Sequence, residues 1–199
     1  AMLACIQKAD GHAATLHRTY PKDGKKAFGR QSKKVLAAGI SGASVRLFEP
    51  SDCLAITEGT ETALATHLGT AQPVWAALSA GNLEKVWVPE TVKRISIYAD
   101  NDATSEYKGQ SSAFILAGRL KKDRSGSRRQ VEVFVPKIAG ADWADVWLSR
   151  VQKSARRAAQ FLGVRRRSRP LFGGTSIEVP AKRVLFTGRC HTRYRSSRY

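Results

Sequence analysis

The sequence predicts an α/β protein: a parallel four-stranded sheet with helices on both faces, preceded by a small antiparallel β-rich subdomain. Three observations carry that expectation. Short apolar bursts recur at Leu54-Ala55-Ile56, Val74-Trp75-Ala76-Ala77-Leu78, Ile95-Ser96-Ile97-Tyr98-Ala99 and Val131-Glu132-Val133-Phe134-Val135, as strands buried on both faces do. The stretches between and after them carry helical spacing, and strand alternating with helix is the grammar of a parallel sheet. Residues 1–50 read differently, as β-prone runs separated by turn signals.

In chain order, residues 3–8 and 13–20 flank Asp10-Gly11 as two arms of a hairpin, and Val45-Arg46-Leu47-Phe48 supplies a third strand. Between them, Lys22-Asp23-Gly24-Lys25-Lys26 through Lys33-Lys34 is polar and lysine-rich, and is expected to be an exposed loop. Strands then follow at the four apolar bursts. Ala113, Leu116, Ala117 and Leu120 recur at helical spacing, and Lys121, Lys122 and Arg124 close that segment as the helix dipole favours. Trp143, Val146, Trp147, Val151, Ala155 and Ala158 trace a last helix to about Leu162. Trp143, Trp147 and His67 read as packing residues, while Ser79, Gly81 and Asn82 read as a helix cap and its turn. The organisation expected is therefore a β-rich unit over 1–50, an α/β unit over 51–162, and a poorly ordered basic tail over 163–199.

Lys and Arg number 34 against 16 Asp and Glu, a formal net charge of +18. Such a field draws polyanions through counterion release, which makes nucleic acid the leading partner. Half of the excess lies in residues 165–199, where Glu178 is the sole acid. That segment reads either as a nucleic-acid arm or as a disordered tail. No run approaches the roughly 18 to 20 apolar residues of a membrane span, and no secretory signal opens the sequence, so a soluble, cytoplasmic protein is expected. Cys5, Cys53 and Cys190 are too few and too scattered for a disulfide framework or a CxxC zinc site. There is no GxxxxGK[ST] phosphate loop.

Chemistry concentrates in three acidic clusters, each just past a predicted strand, where open α/β sheets bind ligands. Glu58 ends one strand, with Gly59 turning the chain into a helix that carries Glu61. Asp100 and Asp102 stand two residues apart after a later strand, and Asp142 and Asp145 open the last helix. Grouped carboxylates repel unless a cation joins them, and oxygen-only ligands suit Mg²⁺ or Mn²⁺. Mg²⁺ keeps positions for water or phosphate, so phosphoryl chemistry is the natural use. Each cluster alone has a plainer reading: a solvated helix start, an ordinary turn, a helix cap.

Glu58-Gly59 and Asp100-Asn101-Asp102 resemble the signature of the Toprim domain, shared by bacterial primases, topoisomerases and OLD-type nucleases. The resemblance is closer to plasmid, integrative-element and phage primases or primase-helicases. It runs through His17-Arg18-Thr19-Tyr20, Glu58-Gly59-Thr60-Glu61-Thr62-Ala63-Leu64-Ala65, Ala77-Leu78-Ser79-Ala80-Gly81, Ala99-Asp100-Asn101-Asp102 and Asp142-Trp143-Ala144-Asp145, over roughly residues 1–150. It implies that 51–162 is a Toprim catalytic domain. Glu58 would be a general acid/base or metal-associated carboxylate, Asp100 and Asp102 would hold Mg²⁺ or Mn²⁺, and Asp142 and Asp145 would complete the pocket. The pattern departs at Thr62, where many relatives carry a second acid, at Ala144, and in the longer link Thr104–Lys108 before Gly109-Gln110.

What the resemblance implies is DNA primase activity: Mg²⁺-dependent nucleotidyl transfer that makes short primers on a single-stranded DNA template from nucleoside triphosphates. A helicase or a zinc-binding domain would act in trans or in a longer parent chain. His17 and Arg18 could reach phosphate, although alternation along a strand accounts for them equally well. Lys25, Lys26, Lys33 and Lys34 could grip nucleotide or template, or simply be a solvated face. Two other functions fit the same residues: a metal-dependent nuclease, and a non-catalytic nucleic-acid-binding fragment of a replication protein.

Overall fold

The computed structural model describes residues 1–22, 25–26, 33–35, 39–122 and 129–161. Ala1–Ala155 forms one compact unit. The second unit, from Arg156 onward, enters the description only through the closing residues of the last helix. The basic tail over 163–199 lies outside the described residues.

The strands are β1 (Met2–Gln7), β2 (Ala13–Thr19), β3 (Pro21–Lys22), β4 (Lys25–Lys26), β5 (Lys33–Val35), β6 (Ser44–Arg46), β7 (Cys53–Thr57), β8 (Val74–Ala76), β9 (Arg94–Tyr98) and β10 (Gln130–Phe134). The helices are α1 (Thr60–Thr70), α2 (Ala80–Leu83), α3 (Lys108–Lys122) and α4 (Trp143–Phe161). An eight-stranded sheet runs β10-β9-β7-β8-β6-β1-β2-β5. Its first four strands pair in parallel, with Thr57 opposite Tyr98 and Phe134 opposite Tyr98 from the other side. The remaining strands pair antiparallel. The mixed α/β fold with a parallel sheet is the one expected. The antiparallel strands of the first 46 residues extend that same sheet through β6 on β8, where Val45 faces Ala76.

The lysine-rich stretch differs from the loop expected of it. Lys33–Val35 is a strand that pairs with β2, setting Lys34 opposite Arg18, and β3 pairs with β4. Ladder hydrogen bonds join backbone groups and need no apolar side chains, so hydrophobic patterning gave no sign of these strands.

Alternation divides the parallel strands between two cores. Leu54, Ile56, Trp75, Ile95 and Ile97 pack with Ala113, Leu116, Ala117 and Leu120 of α3. Ala55, Val74, Ala76 and Tyr98 pack with Ala63 of α1 and Trp143 of α4. Helices therefore cover both faces, as a parallel sheet requires. At about 25 cal/mol per Å² of apolar surface buried, such residues dominate the driving force for the fold. Among the described residues, no helix is long and apolar enough to cross a membrane.

Candidate functional site

The carboxyl ends of β7, β9 and β10 form one edge; the turn after β7 is bonded to the loop after β8, and the turns after β9 and β10 are bonded to each other. After β7, Glu58 and Gly59 lead into α1, and the Glu58 carbonyl accepts the Leu78 N–H at 2.6 Å. Leu78 holds a left-handed backbone, φ 75°, to make that bond, a conformation that costs an L residue with a branched side chain. The neighbouring Ala77 N–H donates to the Thr57 carbonyl at 2.9 Å. The loop after β8 is thereby fastened to the Glu58 turn.

After β9 come Ala99, Asp100, Asn101 and Asp102. Asn101 ties this turn to its surroundings: its Nδ2 donates to the Pro136 carbonyl at 2.8 Å, and its Oδ1 accepts from Gln110 Nε2 at 3.0 Å. Its backbone N–H donates to the Ala141 carbonyl at 3.0 Å and its carbonyl accepts the Gly140 N–H at 2.7 Å. Gly140 adopts φ 77° there, a conformation glycine takes without penalty. Gln110 closes the ring by accepting the Asp102 N–H at 3.0 Å. Trp143 Nε1 donates to the Ala99 carbonyl at 3.1 Å, so α4 also holds the residue before Asp100.

Asp100 and Asp102 are half-buried, and Oδ1 of Asp100 is withdrawn from solvent. Asp102 Oδ2 accepts the Gly109 N–H at 3.1 Å, satisfying one of the donors left open at the start of α3. The strand register pairs Thr57 with Tyr98, so Glu58 follows one strand end and Ala99-Asp100 the adjoining one.

Asp142 and Asp145 cap α4 reciprocally. Asp142 Oδ1 accepts the Asp145 N–H at 2.8 Å, and Asp145 Oδ2 accepts the Asp142 N–H at 3.2 Å, a capping box built from two aspartates. Ala141, pinned to Asn101, holds this pair beside the Asp100 turn. Among the described residues, no three His, Cys, Asp or Glu side chains gather into a metal-holding group. The edge thus offers hard oxygen donors in ones and twos. That donor set fits Mg²⁺, which takes one or two carboxylates and fills its remaining positions with water and phosphate oxygens.

The basic residues lie elsewhere in the sheet. His17 is buried on β2, opposite Ala4, while Arg18 on the same strand has its guanidinium 6.0 Å from the Tyr20 ring. Lys25, Lys33 and Lys34 belong to β4 and β5, and their side chains lie outside the description. Ser79 caps α2 by accepting the Asn82 N–H at 3.3 Å, the cap expected from sequence, and His67 stacks on Phe48 at 3.7 Å, the packing role expected of it. Sequence reasoning singled out Asp100 and Asp102 without the residues that hold them. Gly109-Gln110 stood in the motif, and a glycine beside an amide soon after paired aspartates was the available signal.

The family model described as Toprim domain matches residues 53–153. No curated protein matches the chain in sequence. Among solved structures, a DnaG primase catalytic domain bound to ssDNA is similar at TM-score 0.50 and 16% identity, over 80% of this chain and 50% of that one. A DNA primase domain from Pseudomonas aeruginosa gives TM-score 0.49 and 15% identity, over 79% of this chain and 50% of that one. A DnaG catalytic core gives 0.49 and 17%, over 80% and 52%. The chain spans about half the length of these structures. At such identity the first likeness concerns the fold, a mixed α/β arrangement around a parallel sheet.

Proposed function

The chain belongs to the Toprim family, and from that premise we propose that it is the catalytic part of a DNA primase, joining nucleoside triphosphates into short primers on single-stranded DNA. The observation that carries the reading is the register of β7 against β9, which brings Glu58 and the Asp100-Asn101-Asp102 turn to one sheet edge.

Glu58, Asp100 and Asp102 would serve Mg²⁺ or Mn²⁺, one or two of them directly and the rest through water or phosphate. Such an ion supplies positive charge to the phosphate being transferred. Asp142 and Asp145, already capping α4, would act on that ion through water. The remaining work is positioning. Glu58, fixed through its carbonyl by Leu78, would take the proton of an attacking 3′-hydroxyl at its carboxylate. Asn101, Gln110 and Gly109 keep the Asp100–Asp102 turn from shifting. Arg18 and the lysines Lys25, Lys33 and Lys34 would hold phosphates of template or nucleotide, with His17 as a buried support on the same strand. The five motif stretches favour the plasmid, integrative-element and phage branch of these primases, working in the cytoplasm beside a helicase or zinc-binding domain.

The test is incubation with single-stranded DNA, ribonucleotides and Mg²⁺. New short oligonucleotides, absent with the double variant Asp100→Ala, Asp102→Ala, are the expected result. Shortened input DNA would instead identify a nuclease of the same family, and retarded but unchanged DNA a binding module.

A further inference from the structure

We propose that the outer face of α3, headed by Tyr107, is a stacking platform for the bases of single-stranded nucleic acid. The inference rests on the primase reading in one respect, that such a strand reaches the acidic edge. The inner face of α3 is committed to the core through Ser112, Ala113, Leu116, Ala117 and Leu120. Its outer face is unusual for solvent: Phe114 is 60% exposed and Ile115 50%, and Tyr107, just before the helix, is 59% exposed. Large apolar groups left open together on one element mark a contact surface.

Charge selects the kind of partner. The α3 sequence KGQSSAFILAGRLKK contains no acid. Arg119 is occupied with the carbonyls of Glu84 and Val86, but Lys108, Lys121 and Lys122 are exposed. Two exposed rings beside three exposed lysines, with Glu106 the one acid adjoining them, suit a polyanion with flat bases; cations without a matching set of acids suit an ordinary protein surface less well.

Tyr107 is also held in place. Glu106 and Tyr107 take φ of 59° and 56°, two successive left-handed residues that are not glycine, a backbone that L residues rarely adopt. The Tyr107 N–H donates to the Asp102 carbonyl at 3.0 Å, and the Tyr107 carbonyl accepts the Ser111 N–H at 2.9 Å. The backbone that carries the ring is therefore anchored to the residue that the primase reading gives a metal. Phe114 follows seven residues on, roughly 10 Å farther along the helix axis. Bases stacked on the two rings would lead a strand away from the acidic edge.

The experiment is fluorescence anisotropy with the full chain, using a labelled oligothymidylate and an abasic strand of equal length. The expected result is tighter binding of the oligothymidylate by the wild type. Tyr107→Ala with Phe114→Ala should weaken that binding roughly tenfold or more while scarcely changing affinity for the abasic strand. Tyr107→Phe with Phe114→Tyr should restore wild-type affinity, since each keeps a ring. The proposal is overturned if the alanine variant binds oligothymidylate like the wild type, or weakens equally on both strands. It is also overturned if the only change is in oligomeric state by sedimentation, which would make the face a protein interface. A wild type that binds neither strand overturns the template-binding part of the primase reading and this surface with it.

Discussion

Gly109 approaches Asp102 so closely that a Cβ on it would stand 2.8 Å from Asp102 Oδ2 and 3.3 Å from the Asp100 carbonyl oxygen. In its absence the Gly109 N–H donates to that same carboxylate oxygen at 3.1 Å. The glycine gives room to a carboxylate and fixes its direction at once. The backbone of Gly109 is not left-handed, so the requirement is for space alone.

Gly109→Ala should therefore displace the Asp102 carboxylate without unfolding α3. The expected outcome is a loss of at least tenfold in Mg²⁺-dependent primer synthesis, against a stability cost of about 1–3 kcal/mol for the added methyl group. Product formation across a Mg²⁺ titration, beside thermal unfolding followed by circular dichroism, separates the two effects.

Asn101 and Gln110 act as a pair around the Asp102 N–H. Removing Gln110 takes the acceptor from the Asp102 N–H, and removing Asn101 takes the acceptor from Gln110 Nε2 and the donor from the Pro136 carbonyl, at about 1–3 kcal/mol for a group withdrawn from water. A double-mutant cycle of Asn101→Ala and Gln110→Ala in urea unfolding should show a coupling energy of about 0.5–3 kcal/mol. Additive losses would show that the two side chains work independently.

Asp142 caps α4, and Asp142→Ala should cost about 0.5–2 kcal/mol through the lost cap. Asp142→Asn and Asp142→Ser keep a capping oxygen while removing the charge. If Asp142 also serves the ion through water, both polar variants should retain the stability but need more Mg²⁺ for half-maximal activity. The Mg²⁺ dependence of primer synthesis is the measurement.

Tyr98 carries a pH dependence of stability. Its ring packs against Phe134 at 5.0 Å and edge-on to Trp143 at 5.2 Å. Burial first, and the charge of Glu132 second, raise its hydroxyl above the ordinary 10.0. A group whose pKa is raised on folding contributes stability that is full below its unfolded value and is lost as pH rises through the folded one. Stability should thus fall above about pH 10, and Tyr98→Phe should flatten that fall in alkaline unfolding curves.

The parallel strands β7, β8 and β9 were legible because they are largely buried on both faces, which forces near-continuous apolar runs such as Leu54-Ala55-Ile56, while the edge strand β10 was legible from its alternating Val131 and Val133. The acidic clusters were legible because Glu58, Asp100 and Asp142 each follow or face a strand end in the chain itself. The short strand at Lys33–Val35 was not, since its pairing with β2 is made by backbone groups. Nor was the continuation of the sheet from β8 to β6, which depends on a pairing between residues about thirty apart and leaves no periodic trace. The clamp around Asn101 escaped for a similar reason. Its partners Gln110, Pro136, Gly140 and Ala141 are scattered in sequence, and only the fold gathers them.

The most direct test of the account is a Mn²⁺ titration followed by electron paramagnetic resonance, on wild type and on Glu58→Gln with Asp100→Asn. These substitutions keep the size of each side chain and remove its charge, and circular dichroism checks that the fold is unchanged. The wild type should bind Mn²⁺, and the double variant should lose tenfold or more in affinity. Equal binding by the two proteins would contradict this, because the ion would then sit away from the sheet edge where β7 and β9 end.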